Sequence, residues 1–199
     1  MANSCDFEMK VKGKSESVET LIKLLKDHEL DESEERYFGG WLENIMYEME
    51  DDPINQSSIA FVTGGCKWSV ILSLLGVKDS YYDEDKKDYG DKSKVTCLEN
   101  ESKRLNLDIE IYSSEYGVGF EEHFLIKEGE LLINDCVNAW QLDEMYFENE
   151  DLSEEFKEIV ERFYKKKISN NEWEELHKWL LENPRNYRLG GYDEWKFEI

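Results

Sequence analysis

Three strand-like segments follow one another between Asp108 and Asn138, and they constrain the fold more than any other part of the sequence. Apolar residues recur at even spacing in each segment, and Glu128-Gly129 can form a tight turn between the last two. The apolar residues that set this pattern are Ile109, Ile111, Phe120, Phe124, Ile126, Leu131 and Ile133. The pattern predicts an antiparallel meander at the centre of a sheet, with one apolar face and one polar face.

A strand followed by a helix opens the chain. The strand is indicated by apolar residues that alternate with polar ones, namely Cys5, Phe7, Met9 and Val11. Gly13 ends this strand, and Ser15 can cap an amphipathic helix after it. Apolar residues at helical spacing predict a second amphipathic helix from about Glu34 to Glu50. A short strand, Ser58 to Thr63, follows and is closed by Gly64-Gly65.

The remaining segments complete an α+β architecture. They are read as a helix at 68–75, a surface loop at 79–92, a helix at 93–106, an acidic connector at 142–150, and helices at 153–166 and 170–181. We expect an antiparallel sheet with helices on one face, that is, a ferredoxin-like core at 1–150 with an acidic helical insertion at about 28–92. Residues 151–199 form a C-terminal helical appendage packed on this core.

Two short motifs carry a family resemblance. They are Met1-Ala2-Asn3-x-Cys5 before the strand that ends at Gly13, and Gly117-Val118-Gly119-Phe120-Glu121-Glu122 before Gly129. They resemble the ferredoxin-like family typified by the plasmid protein YubB, over about residues 1–27 and 93–138. The resemblance implies a ferredoxin-like fold and an origin on a plasmid, phage or other mobile element. It carries over no catalytic residue, because the family is largely uncharacterised.

Cysteine spacing and hydropathy exclude several classes of protein. The four cysteines, at 5, 66, 97 and 136, form no Cys-x-x-Cys pair and have no histidine at zinc-ligand spacing. We therefore expect reduced cysteines and no metal or other cofactor. No apolar run approaches the roughly 18 residues of a membrane span, and no signal-peptide pattern opens the chain. The sequence predicts a cytoplasmic protein without a membrane partner.

Two residues are candidates for catalysis. Cys66 follows two glycines whose amides could lower a thiol pKa, and His123 lies in a predicted strand where it could act as a general base. A buried thiol and a polar strand residue are the favoured explanations, because no catalytic partner stands out in the sequence for either, and no nucleotide-binding motif is present. We therefore predict no enzyme. A small enzyme or ligand-binding domain of a mobile element, with a site near Cys66 and His123, is the alternative, and an interaction subunit that assembles through its C-terminal helices is a third hypothesis.

The charge distribution is the strongest functional signal. The formal net charge is −23, and two segments hold most of it: residues 28–64 contain ten acids and one base, and residues 108–150 contain twelve acids and one base. Such a surplus of anions opposes direct binding of nucleic acid, because each phosphate contact needs a cation. Concentrated on a folded scaffold that also carries aromatic residues, it indicates a surface for a basic partner.

These observations lead to the hypothesis of a nucleic-acid mimic from a phage or mobile element. Carboxylates on a folded scaffold can meet Arg and Lys as phosphates do, so the partner would be a basic nucleic-acid-binding host protein such as a CRISPR effector or restriction enzyme. We expect both acidic segments to contribute to one continuous surface, with Glu121 on the open face or rim of the sheet. The candidate partner-binding residues are Glu32, Glu35, Glu48, Asp51, Asp52, Glu121, Glu122, Asp143, Glu144, Glu148 and Glu150.

Overall fold

Six strands and five helices make up the part of the chain that the structure, a computed structural model, describes. That part comprises residues 4–29, 40–49, 57–67, 69–75, 97–115, 119–138, 154–182 and 189. The strands are β1 (Ser4–Lys14), β2 (Gly40–Met49), β3 (Ser57–Lys67), β4 (Asp108–Glu115), β5 (Phe120–Lys127) and β6 (Glu130–Asn138). The helices are α1 (Ser15–Glu29), α2 (Val70–Ser73), α3 (Leu98–Leu105), α4 (Glu154–Tyr164) and α5 (Asn170–Glu182).

All six strands form one open antiparallel sheet in the order β2-β3-β1-β4-β5-β6. The first four strands, with α1 and α3, have the β-α-β-β-α-β connection of a ferredoxin-like core. β5 and β6 extend this core beyond β4, and Glu128 and Gly129 both adopt positive φ (52° and 80°) in the tight turn that joins them. The predicted α+β class and the predicted meander are confirmed.

The main hydrophobic core lies on one face of the sheet, which we call the core face. Side chains at alternating positions of the strands point to this face, and α1, α2 and α3 pack on them. Its fully buried members include Met9, Leu21, Val62, Ile111 and Phe124. The helices of the ferredoxin-like unit therefore lie on one face, as the sequence predicts.

The C-terminal helices cover the other face, which we call the opposite face, at the end of the sheet that β4, β5 and β6 form. Tyr112 of β4 and Val137 of β6 cluster there with Phe156, Val160 and Phe163 of α4. Leu176 and Leu180 of α5 complete this second core. As a result, β4 and β5 are covered on both faces, and polar side chains on either face are removed from water.

The helix predicted from Glu34 to Glu50 is wrong, because residues 40–49 form strand β2 of the sheet. A register shift between Leu42 and Asn44, where β2 pairs with β3, advances the alternation by one residue. Leu42, Ile45 and Tyr47 thereby share the core face, although their spacing in sequence does not have a period of two. Because of the bulge, the spacing of apolar residues in this strand resembles that of a helix. This segment belongs to the sheet instead of forming a helical insertion.

Gly64 and Gly65 do not close β3 as predicted but lie within it, beside the bulge of β2. A Cβ atom on Gly64 would collide with the backbone oxygen of Trp41 and would lie 2.9 Å from Cζ of Phe7. A Cβ atom on Gly65 would collide with the indole ring of Trp41. The two glycines therefore allow β2 to approach β3 closely at the bulge.

We expect Gly64→Ala to lower the free energy of unfolding by about 2 kcal/mol or more, because a backbone atom of β2 must move to make room for the methyl group. Thr63→Ala, at the neighbouring half-buried position, should cost less than about 1 kcal/mol. Urea denaturation followed by circular dichroism measures both. Equal midpoints for the two variants would contradict the close approach of β2.

Candidate functional site

His123, the candidate general base, lies in β5 on the opposite face, where α4 covers it. Its side chain is only 1% exposed. Nδ1 lies 2.6 Å from the main-chain oxygen of Phe163, at the end of α4, and Nε2 lies 2.9 Å from Oε1 of Glu110. The ring stacks on Tyr112, with centroids 4.1 Å apart and planes 11° apart. His123 therefore joins the sheet to the C-terminal helix.

The hydrogen bonds of His123 leave it no lone pair for a substrate. A carbonyl oxygen only accepts, so Nδ1 carries a proton and donates to Phe163. Nε2 lies within hydrogen-bond distance of Oε1 of Glu110, and the hydroxyl of Tyr112 donates to the same Oε1 over 3.1 Å. Both ring nitrogens are engaged inside the protein, so the arrangement holds α4 against the sheet.

Glu110 is buried, and only one of its two carboxylate oxygens has a hydrogen-bond partner among the described residues. The residue is 2% exposed, and its Oε2 has no hydrogen-bond partner among the described residues. An unsatisfied acceptor at such depth destabilises the fold unless its carboxylate is well bound elsewhere. The two bonds at Oε1, from His123 and Tyr112, supply that binding, so the three side chains depend on one another.

Glu121, a predicted partner-binding residue, is buried on the same face, and the prediction that it is exposed is wrong. It is 2% exposed, and its Oε1 accepts a hydrogen bond of 3.0 Å from the backbone nitrogen of Leu189. The hydroxyl of Tyr164 donates to the backbone oxygen of Leu189. Glu121 therefore fixes a C-terminal segment to the sheet, because α4 and α5 cover the face that we expected to be open.

Glu122, the other predicted partner-binding residue of β5, is also buried, at the core face. It is 3% exposed, and its Oε2 accepts hydrogen bonds from Oγ of Ser113 over 2.7 Å and from the backbone nitrogen of Val70 over 3.0 Å. Val70 is the first residue of α2, so the carboxylate satisfies a free amide at a helix start. The expected exposure of Glu122 is therefore wrong. Burial raises the pKa of Glu122 from 4.5 to about 6, against the opposing effect of these hydrogen bonds.

Asp135 adds a third link between the sheet and α4. Its two carboxylate oxygens lie 3.2 and 3.1 Å from Nε of Arg162. Asp135 is directly opposite His123 in the register of β5 and β6, and His123 is directly opposite Tyr112 in that of β4 and β5. A row of polar and aromatic side chains thus crosses three strands beneath α4, and we call Glu110, Tyr112, Glu121, His123 and Asp135 the polar seam.

Cys66, the candidate nucleophile, lies near the end of β3 and not after a turn. It is completely buried, and it pairs directly with Cys5 of β1. A hydrogen bond with the Cys5 thiol and burial both raise the pKa of the Cys66 thiol, which disfavours the reactive thiolate. Cys66 belongs to the core face and His123 to the opposite face, so the sheet separates them. The single site near Cys66 and His123 is not formed.

Among the described residues, the most exposed carboxylates of the two acidic segments lie at opposite edges of the sheet. Glu48, a predicted partner-binding residue, is exposed on β2, whereas Glu128 and Glu130 are exposed at the turn into β6. β2 and β6 are five strand positions apart, or about 24 Å at the usual spacing of strands. The described acids of the two segments therefore do not form one continuous surface, and the prediction for the segments as wholes rests on residues outside the described part of the chain. The other predicted residues, outside the described part of the chain, are Glu32, Glu35, Asp51, Asp52, Asp143, Glu144, Glu148 and Glu150.

The described residues contain neither a cluster of metal ligands nor a membrane-spanning helix. No group of three or more His, Cys, Asp or Glu side chains in the described ranges is placed to hold a metal ion. Among the helices of those ranges, none combines the length and the apolar character that crossing a membrane requires.

We expect His123→Ala to lower the free energy of unfolding by about 3–5 kcal/mol, because it leaves Glu110 buried without its main partner. His177→Ala, on the partly exposed surface of α5, should change it by less than about 0.5 kcal/mol. His123→Gln, whose amide can still donate to Glu110, should recover part of the loss. Denaturant unfolding of the three variants tests this order, and equal losses for the Ala and Gln variants would contradict it.

Glu122 should make the protein less stable as the pH rises from about 4.5 to 6. Its folded-state pKa is raised, so the folded chain binds the proton more tightly than the unfolded chain between these values. Below pH 4.5 both states are protonated and the effect is absent. Above pH 6 the full cost of a buried carboxylate remains, about 2 kcal/mol for this shift.

Comparison of Glu122→Gln with the unsubstituted chain isolates this effect. We expect the variant to gain about 2 kcal/mol relative to the unsubstituted chain between pH 4 and pH 7.5, since Gln does not ionise. Glu130→Gln, at an exposed position of β6, is the matched control and should show the pH profile of the unsubstituted chain. Urea midpoints at four pH values provide the measurement, and parallel profiles for Glu122→Gln would contradict the assignment.

No protein-family model, curated protein or solved structure matches this chain. The resemblance to the family typified by YubB stays a prediction from the sequence.

Proposed function

We propose that this protein is a non-enzymatic, acidic binding protein that occupies the nucleic-acid groove of a basic host protein. The observation that carries the proposal is the surplus of 23 negative charges on a folded scaffold. Lys and Arg side chains in the described ranges already pair with carboxylates of the same chain, among them Arg104, Lys127, Arg162, Lys166, Lys167 and Lys178. Internal pairing therefore leaves the surplus anions to counterions or to a partner.

The candidate catalytic residues support a binding role. His123 has both ring nitrogens engaged, and Cys66 is buried with a raised thiol pKa. Neither offers a group that could act on a substrate from solvent. A protein whose two candidate catalytic residues are both buried, and which carries a large excess of anions, is suited to electrostatic recognition.

The partner class follows from the charge. A groove that binds nucleic acid carries Lys and Arg side chains, and carboxylates can pair with them as phosphates do. The proposal therefore names a defence nuclease, such as a CRISPR effector or a restriction enzyme, as the partner of a protein from a phage or other mobile element, acting in the host cytoplasm. Glu121 and Glu122 take no part in it, because both are buried, whereas Glu48 is exposed and available.

Competition with DNA tests the proposal. We expect a host protein retained by the immobilised chain to bind duplex DNA by itself, to be released when duplex DNA is added, and to lose at least about tenfold in affinity between 50 and 200 mM salt. Charge-driven association has this salt dependence because mobile ions screen the attraction. A partner whose retention is indifferent to DNA and to salt would refute the proposal.

A further inference from the structure

Strand β2 forms one edge of the sheet. It is ten residues long, and β3 is the only described strand that pairs with it. An edge strand presents a row of backbone N–H and C=O groups that can pair with another chain. After the bulge, residues Asn44 to Met49 pair with β3 without interruption, so the backbone of this part is regular and extended.

Two large apolar side chains are exposed at adjacent positions of β2. Met46 is 57% exposed and Tyr47 is 50% exposed. Met46 pairs with Phe61 and Tyr47 with Ala60, so the first points to the opposite face and the second to the core face. A strand added beside β2 could therefore cover apolar surface on both faces of the sheet.

The usual protections of an edge strand are largely missing from β2. Natural edge strands carry Lys, Pro or bulges that prevent pairing with other chains. β2 contains neither Lys nor Pro, and its one irregularity lies between Leu42 and Asn44, outside the regular part. The charged residues of β2 are Glu43 and Glu48, which are both exposed and both acidic.

These charges select which kind of strand can pair. Two copies of the chain, each with a net charge of −23, would repel each other if they paired through β2. β2 carries two glutamates and no cation, so a second copy offers it no opposite-charge pair. A strand with Lys or Arg opposite Glu43 or Glu48 would gain opposite-charge pairs instead. The edge disfavours self-association and favours a basic segment.

We propose that the outer edge of β2 accepts an extended, Lys- or Arg-bearing segment of the partner protein as a seventh antiparallel strand. The inference rests on the proposed function and locates where the basic partner docks. The backbone of the added strand pairs with residues 44–49. Its side chains place a cation beside Glu48 and an apolar group beside Tyr47. Backbone pairing supplies affinity, and the alternating side chains supply selectivity.

A ten-residue peptide of alternating Lys and Val provides the probe. Titrated into the full chain at 0.15 M salt, it should bind and should slow hydrogen exchange of alternate backbone amides within residues 44–49. A second peptide has the same sequence with N-methyl groups on alternate residues, which keeps its charge but removes the backbone donors on one edge. We expect it to bind at least about tenfold more weakly. Equal binding of the two peptides would show attraction by charge alone and would overturn the proposal.

Paired charge reversals test the location. Glu43→Lys with Glu48→Lys changes β2, and Glu128→Lys with Glu130→Lys makes the same change of net charge at the other edge of the sheet. We expect the first pair of substitutions to lower the affinity for the Lys-Val peptide at least about tenfold and the second pair to lower it less than about twofold. Equal weakening by both pairs would overturn docking at β2 while leaving an acidic binding protein intact. Whether the unsubstituted chain retains a host protein that duplex DNA displaces is a separate result, and that result alone bears on the proposed function.

Discussion

Coverage of β4 and β5 on both faces is the constraint on which the rest of this structure depends. A carboxylate that loses water on either face must find donors within the protein, since an unpaired buried charge destabilises the fold severely. The sequence supplies those donors from distant segments: Tyr112 and His123 for Glu110, the backbone of Leu189 for Glu121, and Ser113 with the start of α2 for Glu122. Acidic side chains of the meander thus specify where α2, α4 and Leu189 dock.

Because several acids of the meander are buried, the charge counted along the sequence overstates the charge at the surface. Of the eight acids between residues 108 and 138, five are buried: Glu110, Glu115, Glu121, Glu122 and Asp135. A sum of charges along the sequence assigns all of them to the surface, yet these five lie inside the fold. The acids described on β2 are exposed instead. Charge available to a partner is therefore held by exposed acids such as Glu43 and Glu48 of β2, and not by these five.

The sequence predicted those elements whose pattern depends on one packing face. β1, α1, the three strands of the meander and α5 were found because a single period of two or of 3.6 runs through each of them. β2 was missed because its bulge at Leu42 shifts the alternation by one residue, and the resulting spacing resembles that of a helix. The burial of Glu121 and His123 could not be predicted, because it depends on α4 lying over the opposite face. One signal was present: Glu110, Tyr112, Glu121 and His123 share a face of a predicted hairpin, and such a concentration of hydrogen-bonding groups is typical of a buried network as well as of a site.

Burial and internal hydrogen bonding distinguish the structural acids from the exposed acids that a partner could bind. A buried carboxylate bonded to main-chain nitrogen or to His within the protein is out of reach of an outside partner, and its charge is stabilised locally. An exposed Glu on an edge strand is within reach of such a partner and lies next to backbone groups that can also bind. Glu48 combines both features, and the apolar side chains of Met46 and Tyr47 lie beside it. Selectivity for a basic extended segment then needs no pocket, because opposite charge, backbone pairing and apolar cover act at one edge and discriminate against a second acidic copy.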